Sequence, residues 1–415
     1  MQKNPQWMNN WFDSSLNSLK QSRPKFLKPD HIRPLEFVDY SHLDHVNHSL
    51  RVAVLKLNGG LGTSMGCDGP KSLIQISPDG RCFLDYIIDS YNRSSNASDL
   101  ILLNSFNTSI QTKAYLNQHY SSLNWHQLYQ YSFKKIHSKT LVPFSDNTSS
   151  SLNPPGHGSV FYDLYHSGLL LHLKNSGVDY IFISNADNLA ASLDSKIMAY
   201  LDASKCPFLM ELTPKTSADV KGGTLINYDG KLRLWEIAQV GADEINLFSS
   251  QPYFNTNNIW VSVPRLLQVI ESNQLELDLI RNHKSNSDGE FIQMEYAMGS
   301  AIQSFSDAKG LIVPRSRFFP VKKTSDLLLL ISDVCSWTPS GQLIWDNSKK
   351  PAVSLGEPFT HVSDFFRLFS IIPSIKNARS IHLSGEVLFD QSVVFEKDVF
   401  ISNSSSDLKS IGSFI

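Results

Sequence analysis

Five glycines, Gly59, Gly60, Gly62, Gly66 and Gly69, stand within eleven residues, directly after the apolar run Val52 to Leu57. A branched, leucine-rich run of this length reads as a buried strand. Glycines at its exit let backbone N–H groups approach an anion with no Cβ in the way. Thr63 and Ser64 lie between them, and Lys71 follows Pro70, whose ring stiffens the turn that presents a compact cation. The pattern is a strand running into a phosphate-cradling loop. Two familiar loops of this kind do not fit. A Walker A loop, G-x-x-x-x-G-K-[ST], needs glycine before its lysine, where this chain has Pro70. A dinucleotide fingerprint, G-x-G-x-x-G, needs glycine where Met65 stands, and the glycine comes one residue late.

The same texture continues along the chain. DLILLNSF (99–106), VDYIFIS (178–184) and FLMEL (208–212) each run into a Gly, Asn or Pro-rich turn, with helical stretches between them. That alternation predicts a mostly parallel α/β sheet over residues 51–340. GGTLINYDGKLRLWEIAQV (222–240) and FNTNNIWVSV (254–263) read as strands added at its edge or lid. In residues 1–50, Trp7, Trp11, Phe12, Leu16 and Leu19 recur at near-helical spacing, so a short amphipathic helix and a proline-punctuated connection are expected as a packing appendage. In residues 341–415 the period changes. Ile381, Val387, Val393 and Val399 recur every six residues, as do Leu383, Phe389, Phe395 and Ile401, the repeat of a parallel β-helix.

Charge and cysteine usage narrow the function. Lys plus Arg is 37 and Asp plus Glu is 39, a net charge of −2, so nothing steers the whole surface toward nucleic acid or anionic lipid. Any phosphate-binding basicity has to be local. The four cysteines form no C-x-x-C pair, which fits reduced thiols in a cytoplasmic protein. The N-terminus has no apolar signal-peptide core, and the longest aliphatic stretch, Leu327 to Ile331, is far too short to span a bilayer. His42, His45 and His48 form H-x-x-H-x-x-H beside Asp44, but a metal cluster is not expected, because on a helix the third would rotate off the face of the first and nothing marks the segment as helical.

The loop NGGLGTSMGCDGPKS (58–72) resembles the nucleotide-binding loop of the UTP–glucose-1-phosphate uridylyltransferases. The resemblance continues in order through LLNSFNT (102–108), NPPGHG (153–158), YIFISNADNL (180–189), ELTPKTSADVKGGTLI (211–226), EIAQV (236–240), FNTNNIWV (254–261) and VPRSRFFPVKKTSDLLL (313–329). It implies a Rossmann-like, GT-A-like nucleotidyltransferase domain with a mixed sheet, followed by a short left-handed parallel β-helix. It also implies the transfer of a uridylyl group from UTP to glucose 1-phosphate.

Roles follow on the matching positions. Lys71 and Lys322 would be the catalytic cations, with Lys323 the rival of the second. Leu57, Asn58, Gly59, Gly60, Gly62, Thr63, Gln130 and Gly156 would bind the nucleotide, and His157, Asn185, Gly223, Glu236, Asn257 and Asn258 the sugar phosphate. Asp187, just past the strand YIFIS at the carboxyl end where open α/β sheets bind ligands, would hold Mg2+. Arg315 and Arg317 add local charge or buttress the loop. The attacking phosphate is already an anion, so the residues required are cations and amides rather than a general base.

Two alternatives remain: the same reaction on another sugar 1-phosphate, and a catalytically silent nucleotide-sugar-binding protein, against which retention of both lysines and Asp187 counts. Two departures stand out. Asp68 lies where the family more usually has lysine, and is expected to point outward; Ser159 lies where the family commonly has an acid. The β-helical segment often mediates self-association in that family, which makes it a candidate contact between copies.

Overall fold

The structure, a computed structural model, describes residues 3–21, 27–77, 79–146, 148–216, 219, 222–286, 289–338, 341–345 and 350–414. Its central sheet is built, in chain order, from Val38–Asp39 (β1), Val52–Leu57 (β2), Ala97–Ser105 (β3), Trp125–Gln130 (β4), Tyr180–Asn185 (β5), Phe208–Pro214 (β6), Tyr253–Ser262 (β7) and Lys309–Ile312 (β8). Across the sheet the order is β1-β8-β6-β7-β5-β2-β3-β4.

The middle strands are apolar on both faces because both faces are covered. Val54, Leu100 and Leu102 point into one core, while Ala53, Leu55, Ile101 and Leu103 point into another, the alternation that the pleat dictates. All neighbouring pairs are parallel except those made by β7, which runs antiparallel to both β6 and β5. The sheet is therefore mixed.

The position of FNTNNIWVSV corrects the sequence reading, which placed it at an edge or lid. It is an interior strand. Its alternation was hidden because Ile259, Trp260 and Val261 are all buried, as befits a strand covered on both sides. The other added segment does stand apart, as Gly223–Tyr228 and Lys231–Glu236 pair with each other and with Ile32–Arg33 in a separate three-stranded sheet.

The expected N-terminal helix forms over Gln6–Gln21, burying Met8, Leu16 and Leu19. It packs on a hairpin made of Leu279–Asn286 and Gly289–Tyr296, where the Trp11 and Tyr296 rings stack 4.9 Å apart and Ser15 Oγ lies 2.8 Å from the Tyr296 hydroxyl. Short strands from the first fifty residues also join both sheets.

Toward the C-terminus, Ala352–Leu355 (β9), Ser374–Ser384 (β10) and Val394–Ser402 (β11) pair in parallel. Ile381 lies beside Val399 and Leu383 beside Ile401, a return to register every 18 residues that is also seen in the Ser384–Ser402 hydroxyl pair. Of the two six-residue series, Ile381, Val387, Val393, Leu383, Phe389, Phe395 and Ile401 are buried, and Val399 is partly so. They share one core with the helical face of β2 and β3, so the segment is not a free tail. Among the described residues, no helix is long and apolar enough to cross a membrane.

Candidate active site

The carboxyl ends of β2, β3, β4 and β5 open onto one cleft of about 470 Å3. Leu57 is in register with Asn185 on one side and Leu103 on the other, so three strand ends form its floor. Most of the residues singled out in the sequence meet there: Leu57, Asn58, Gly59, Gly60, Lys71, Gln130, Gly156, His157, Asn185, Asp187, Asn257 and Lys322 all line it.

Asp187 is at its centre. Oδ2 accepts from Lys71 Nζ at 2.8 Å and from Lys322 Nζ at 2.7 Å, whereas Oδ1 is buried and bonds nothing among the described residues. Burial alone would raise its pKa, but the Lys322 and Lys71 ammonium groups outweigh that and hold the carboxyl below the usual range. Burial in turn pulls Lys71 below the ordinary lysine range, against the attraction of Asp187. The result is a buried carboxylate, ionised and shared by two cations.

The chain closes on itself to place those lysines. Leu61 bridges to Pro70, the Gly62 N–H donates to Gly69 O at 3.3 Å, and the Lys71 N–H donates to Gly60 O at 3.2 Å. A Cβ on Gly62 would come within 2.7 Å of Cys67 Cβ, so Gly62 serves loop closure. Neither it nor the exposed Thr63 is on the cleft wall. Asp68 is exposed and off that wall, pointing outward as expected. The Val321 N–H donates to Asp187 O at 3.1 Å, and Ser64 Oγ donates to Lys322 O at 3.1 Å. It is thus Lys322, not Lys323, whose ammonium meets Asp187. Asp326 accepts from the N–H groups of both lysines and caps the following helix, Thr324–Ile331.

Asn257 and Asn258 part company at a bulge. Between the pairs Met210–Ile259 and Leu212–Asn255, three residues of β7 stand opposite Glu211 alone. Asn257 adopts φ 63°, which asparagine tolerates better than most residues, and its amide donates to Asn185 Oδ1 at 3.0 Å on the cleft floor. Asn258 instead turns inward. Its amide donates to Glu211 Oε2 at 3.1 Å, within a buried network where Arg317 grips Glu211 at 3.0 and 2.7 Å and Trp260 donates to it at 2.8 Å. Arg315 forms a second fork on Asp219, at 2.7 and 2.9 Å. Both arginines are thus buttresses.

The opposite wall is NPPGHG. Gly156 has φ 80°, and a Cβ there would sit 2.5 Å from Tyr296 O and 2.6 Å from Tyr296 N. Only glycine fits. His157 Nδ1 accepts the Met298 N–H at 3.0 Å, so its proton is on Nε2. Burial, helped by Lys322, lowers its pKa to about 4, and the imidazole stays neutral. Gln130 donates from Nε2 to Gly156 O at 2.8 Å and to Ser159 Oγ at 3.0 Å, which leaves its Oε1 beside Gly59.

Ser159 is fully buried in that contact, and an acid appears one helical turn later as Asp163. Burial holds the Asp163 carboxyl well above the ordinary carboxylate range, with Ser159 pulling the other way. A proton retained in the folded state makes its contribution to stability complete below about pH 4, the unfolded value, and lost as pH rises through the raised one. Asp163→Asn should therefore flatten the pH dependence of urea unfolding above pH 4 and gain most at the alkaline end. Parallel curves for the two proteins would contradict this.

Gly223 and Glu236 face each other across their hairpin and do not line the cleft. Burial pushes Glu236 up to about 7. Of the cleft-lining residues not singled out in the sequence, Ser72, Leu103, Pro154, Ala186 and Glu295, the last is the one that ionises. Glu295, on the hairpin behind Gly156, lines the cleft, and burial raises its pKa. Nothing in GEFIQMEY distinguishes that acid from a solvent-facing one.

Comparison with known proteins gives the same answer throughout. Residues 6–396 match the family model described as UTP–glucose-1-phosphate uridylyltransferase. The chain is 41% identical to UTP–glucose-1-phosphate uridylyltransferase 2 of Dictyostelium discoideum over 367 residues, covering 85% of this chain and 73% of that protein. It is 42% identical to the enzyme of Encephalitozoon cuniculi over 364 residues, covering 85% and 73%. Among solved structures, a UDP-glucose pyrophosphorylase mutant from Leishmania major in complex with UDP-glucose superposes with a TM-score of 0.84 at 33% identity, covering 96% of this chain and 92% of that one.

Proposed function

The chain belongs to the UTP–glucose-1-phosphate uridylyltransferase family, and from that premise we propose how its own residues make UDP-glucose. It is a nucleotidyltransferase that joins UTP and glucose 1-phosphate to give UDP-glucose and pyrophosphate. The observation that carries the proposed mechanism is the Asp187 carboxylate shared by Lys71 and Lys322 at the mouth of the glycine loop.

A phosphate oxygen of glucose 1-phosphate attacks the α-phosphorus of UTP, the bond from that phosphorus to the oxygen bridging to the β-phosphate breaks, and pyrophosphate leaves with the electron pair. The attacking oxygen is already anionic near neutral pH, so no side chain has to remove a proton. His157 fits this, since a neutral imidazole donating from Nε2 can orient a phosphate or hydroxyl oxygen but holds no spare charge. Lys71 and Lys322 offset the repulsion between the two polyanions once they turn from Asp187 to phosphate.

Gln130 has its NH2 group committed, so its Oε1 is the group free to accept from the N3–H of uracil. On the sugar side we place His157, Asn185 and Asn257 against the glucose phosphate; Gly223 and Glu236 stand off the cleft wall and would reach the sugar through a movement of their hairpin. The inward turn of Asn258 gives it a supporting part, holding the bulge that presents Asn257. Gly62 and Thr63 shape the nucleotide loop.

Asp187 suits a magnesium ion. A largely buried carboxylate with one oxygen unpartnered among the described residues supplies the hard, anionic ligand this ion takes, with phosphates and water completing the set. When bound, magnesium would neutralise phosphate charge and polarise the α-phosphoryl group. Chelation should abolish turnover, and Asp187→Asn should raise the magnesium concentration needed for half-maximal rate by roughly tenfold or more. An unchanged requirement would remove Asp187 from that role.

For the remainder of the molecule, we read the domain as GT-A-like and the C-terminal coil as a left-handed parallel β-helix, a candidate contact between copies in a cytoplasmic enzyme. Sugar choice is tested by pyrophosphate release from UTP with a panel of sugar 1-phosphates. Glucose 1-phosphate should give the highest kcat/KM, and a higher value for an N-acetylhexosamine 1-phosphate would overturn the assignment.

A further inference from the structure

A second group of metal-binding side chains converges far from the cleft. Asp99 is on β3 and His126 on β4, and because Ile101 is in register with His126, all three residues share one face of the sheet. The helix Leu169–Asn175 packs on that face through Leu170 and Leu173, in the same core as Ile101 and Leu128, and this brings His172 over the other two. The position is six residues back along β3 from its cleft end at Ser105, about 20 Å away at about 3.3 Å per residue.

The geometry is close to that of a bound site. One ligand atom from each of Asp99, His126 and His172 lies within 4.8 Å of the others. His126 Nε2 and Asp99 Oδ1 are 3.1 Å apart, about the edge of a tetrahedron whose bonds are about 2.0 Å long. The His126 and His172 ring centres are 5.7 Å apart at 56°. Two imidazoles on neighbouring corners of a tetrahedral ion would have centres about 5 to 5.5 Å apart, which a small rotation of the exposed His172 supplies. All three ligands are on regular elements, so little has to be ordered on binding. No metal was expected from the sequence here, because the three positions are widely separated. The run that did look like a cluster disperses, with His45 paired to Ser195 Oγ at 3.0 Å.

We propose that Asp99, His126 and His172 form a binding site for a divalent transition-metal ion of the zinc class, with water at the fourth corner. Two imidazoles and one carboxylate suit zinc or cobalt and are poor for magnesium or calcium, which take oxygen ligands. The ion would tie β3, β4 and the helix together as a staple, independent of the Asp187 site.

The test uses the intact protein without nucleotide, titrated with Co2+ and then Zn2+. One equivalent of Co2+ should bind with the visible bands of a tetrahedral site. Zn2+ should displace it, a large excess of Mg2+ should not, and saturating Zn2+ should raise the Tm by a few degrees. His172→Gln, at an exposed position, and His126→Gln, which can keep a hydrogen bond to Asp99, should each weaken Zn2+ binding by roughly tenfold or more. Both variants should make UDP-glucose at the unaltered rate when no Zn2+ is added. An absence of tetrahedral Co2+, or binding that survives both substitutions, would overturn the assignment.

Discussion

Replacing Lys71 with alanine should lower the rate of UDP-glucose formation by roughly 10²- to 10³-fold, the loss typical of removing one preorganised charge from a transition state. Lys71 is part of the wall that two polyanions must share, and its ammonium is 2.8 Å from Asp187 at a largely buried position. The protein should still fold. Removing one partner of a buried pair is costly when it strands the other charge, but here Asp187 keeps Lys322 at 2.7 Å. A Tm within a few degrees of the parent, measured with the rate, separates a chemical role from a structural one. Lys71→Arg should rescue little, because a planar fork cannot take the place of a compact ammonium in so enclosed a site. Full activity in Lys71→Ala would remove the residue from the mechanism.

Gly156→Ala should have the opposite signature, a loss of stability that carries activity with it. The added methyl meets the Tyr296 backbone at 2.5 and 2.6 Å, and neither of those atoms is the end of a flexible side chain. A backbone at φ 80°, ψ 167°, a region essentially restricted to glycine, adds about 1 to 3 kcal/mol, and relieving the overlap about 1 to 3 kcal/mol more. The wall carrying His157 and the Gly156 carbonyl that holds Gln130 would have to move. We expect a fall in Tm of several degrees and a KM for UTP raised at least as much as kcat is lowered. A variant with parental Tm and KM would show that the wall can yield, contrary to its close packing against the hairpin at Tyr296.

Much of the site was legible because its chemistry is local in sequence. The strand VAVLKL followed by close-set glycines is suited to receive an anion, Asp187 lies two residues past the end of its strand, and Lys71, fourteen residues past Leu57, belongs to the same contiguous loop motif. What escaped depends on tertiary register. The reading that put Asn257 and Asn258 together could not foresee a bulge that sends one to the cleft and the other to Glu211. Nor could it see that β7 is interior, because a strand buried on both faces loses its alternation. Ser159 was opaque for a similar reason: its meaning lies in Gln130 and in Asp163 one turn away, contacts that no linear motif records. The choice between Lys322 and Lys323 was open until Asp187 was seen to meet only the first.

Transfer of a uridylyl group from UTP to glucose 1-phosphate in this cleft leaves two products that can be counted. The most direct measurement is the release of pyrophosphate, with UDP-glucose identified as the partner product, when the purified protein is given UTP, glucose 1-phosphate and Mg2+. We expect one UDP-glucose for each pyrophosphate, no release when either substrate is omitted, and the reverse reaction when UDP-glucose and pyrophosphate are supplied. Folded protein that releases no pyrophosphate with glucose 1-phosphate would contradict this.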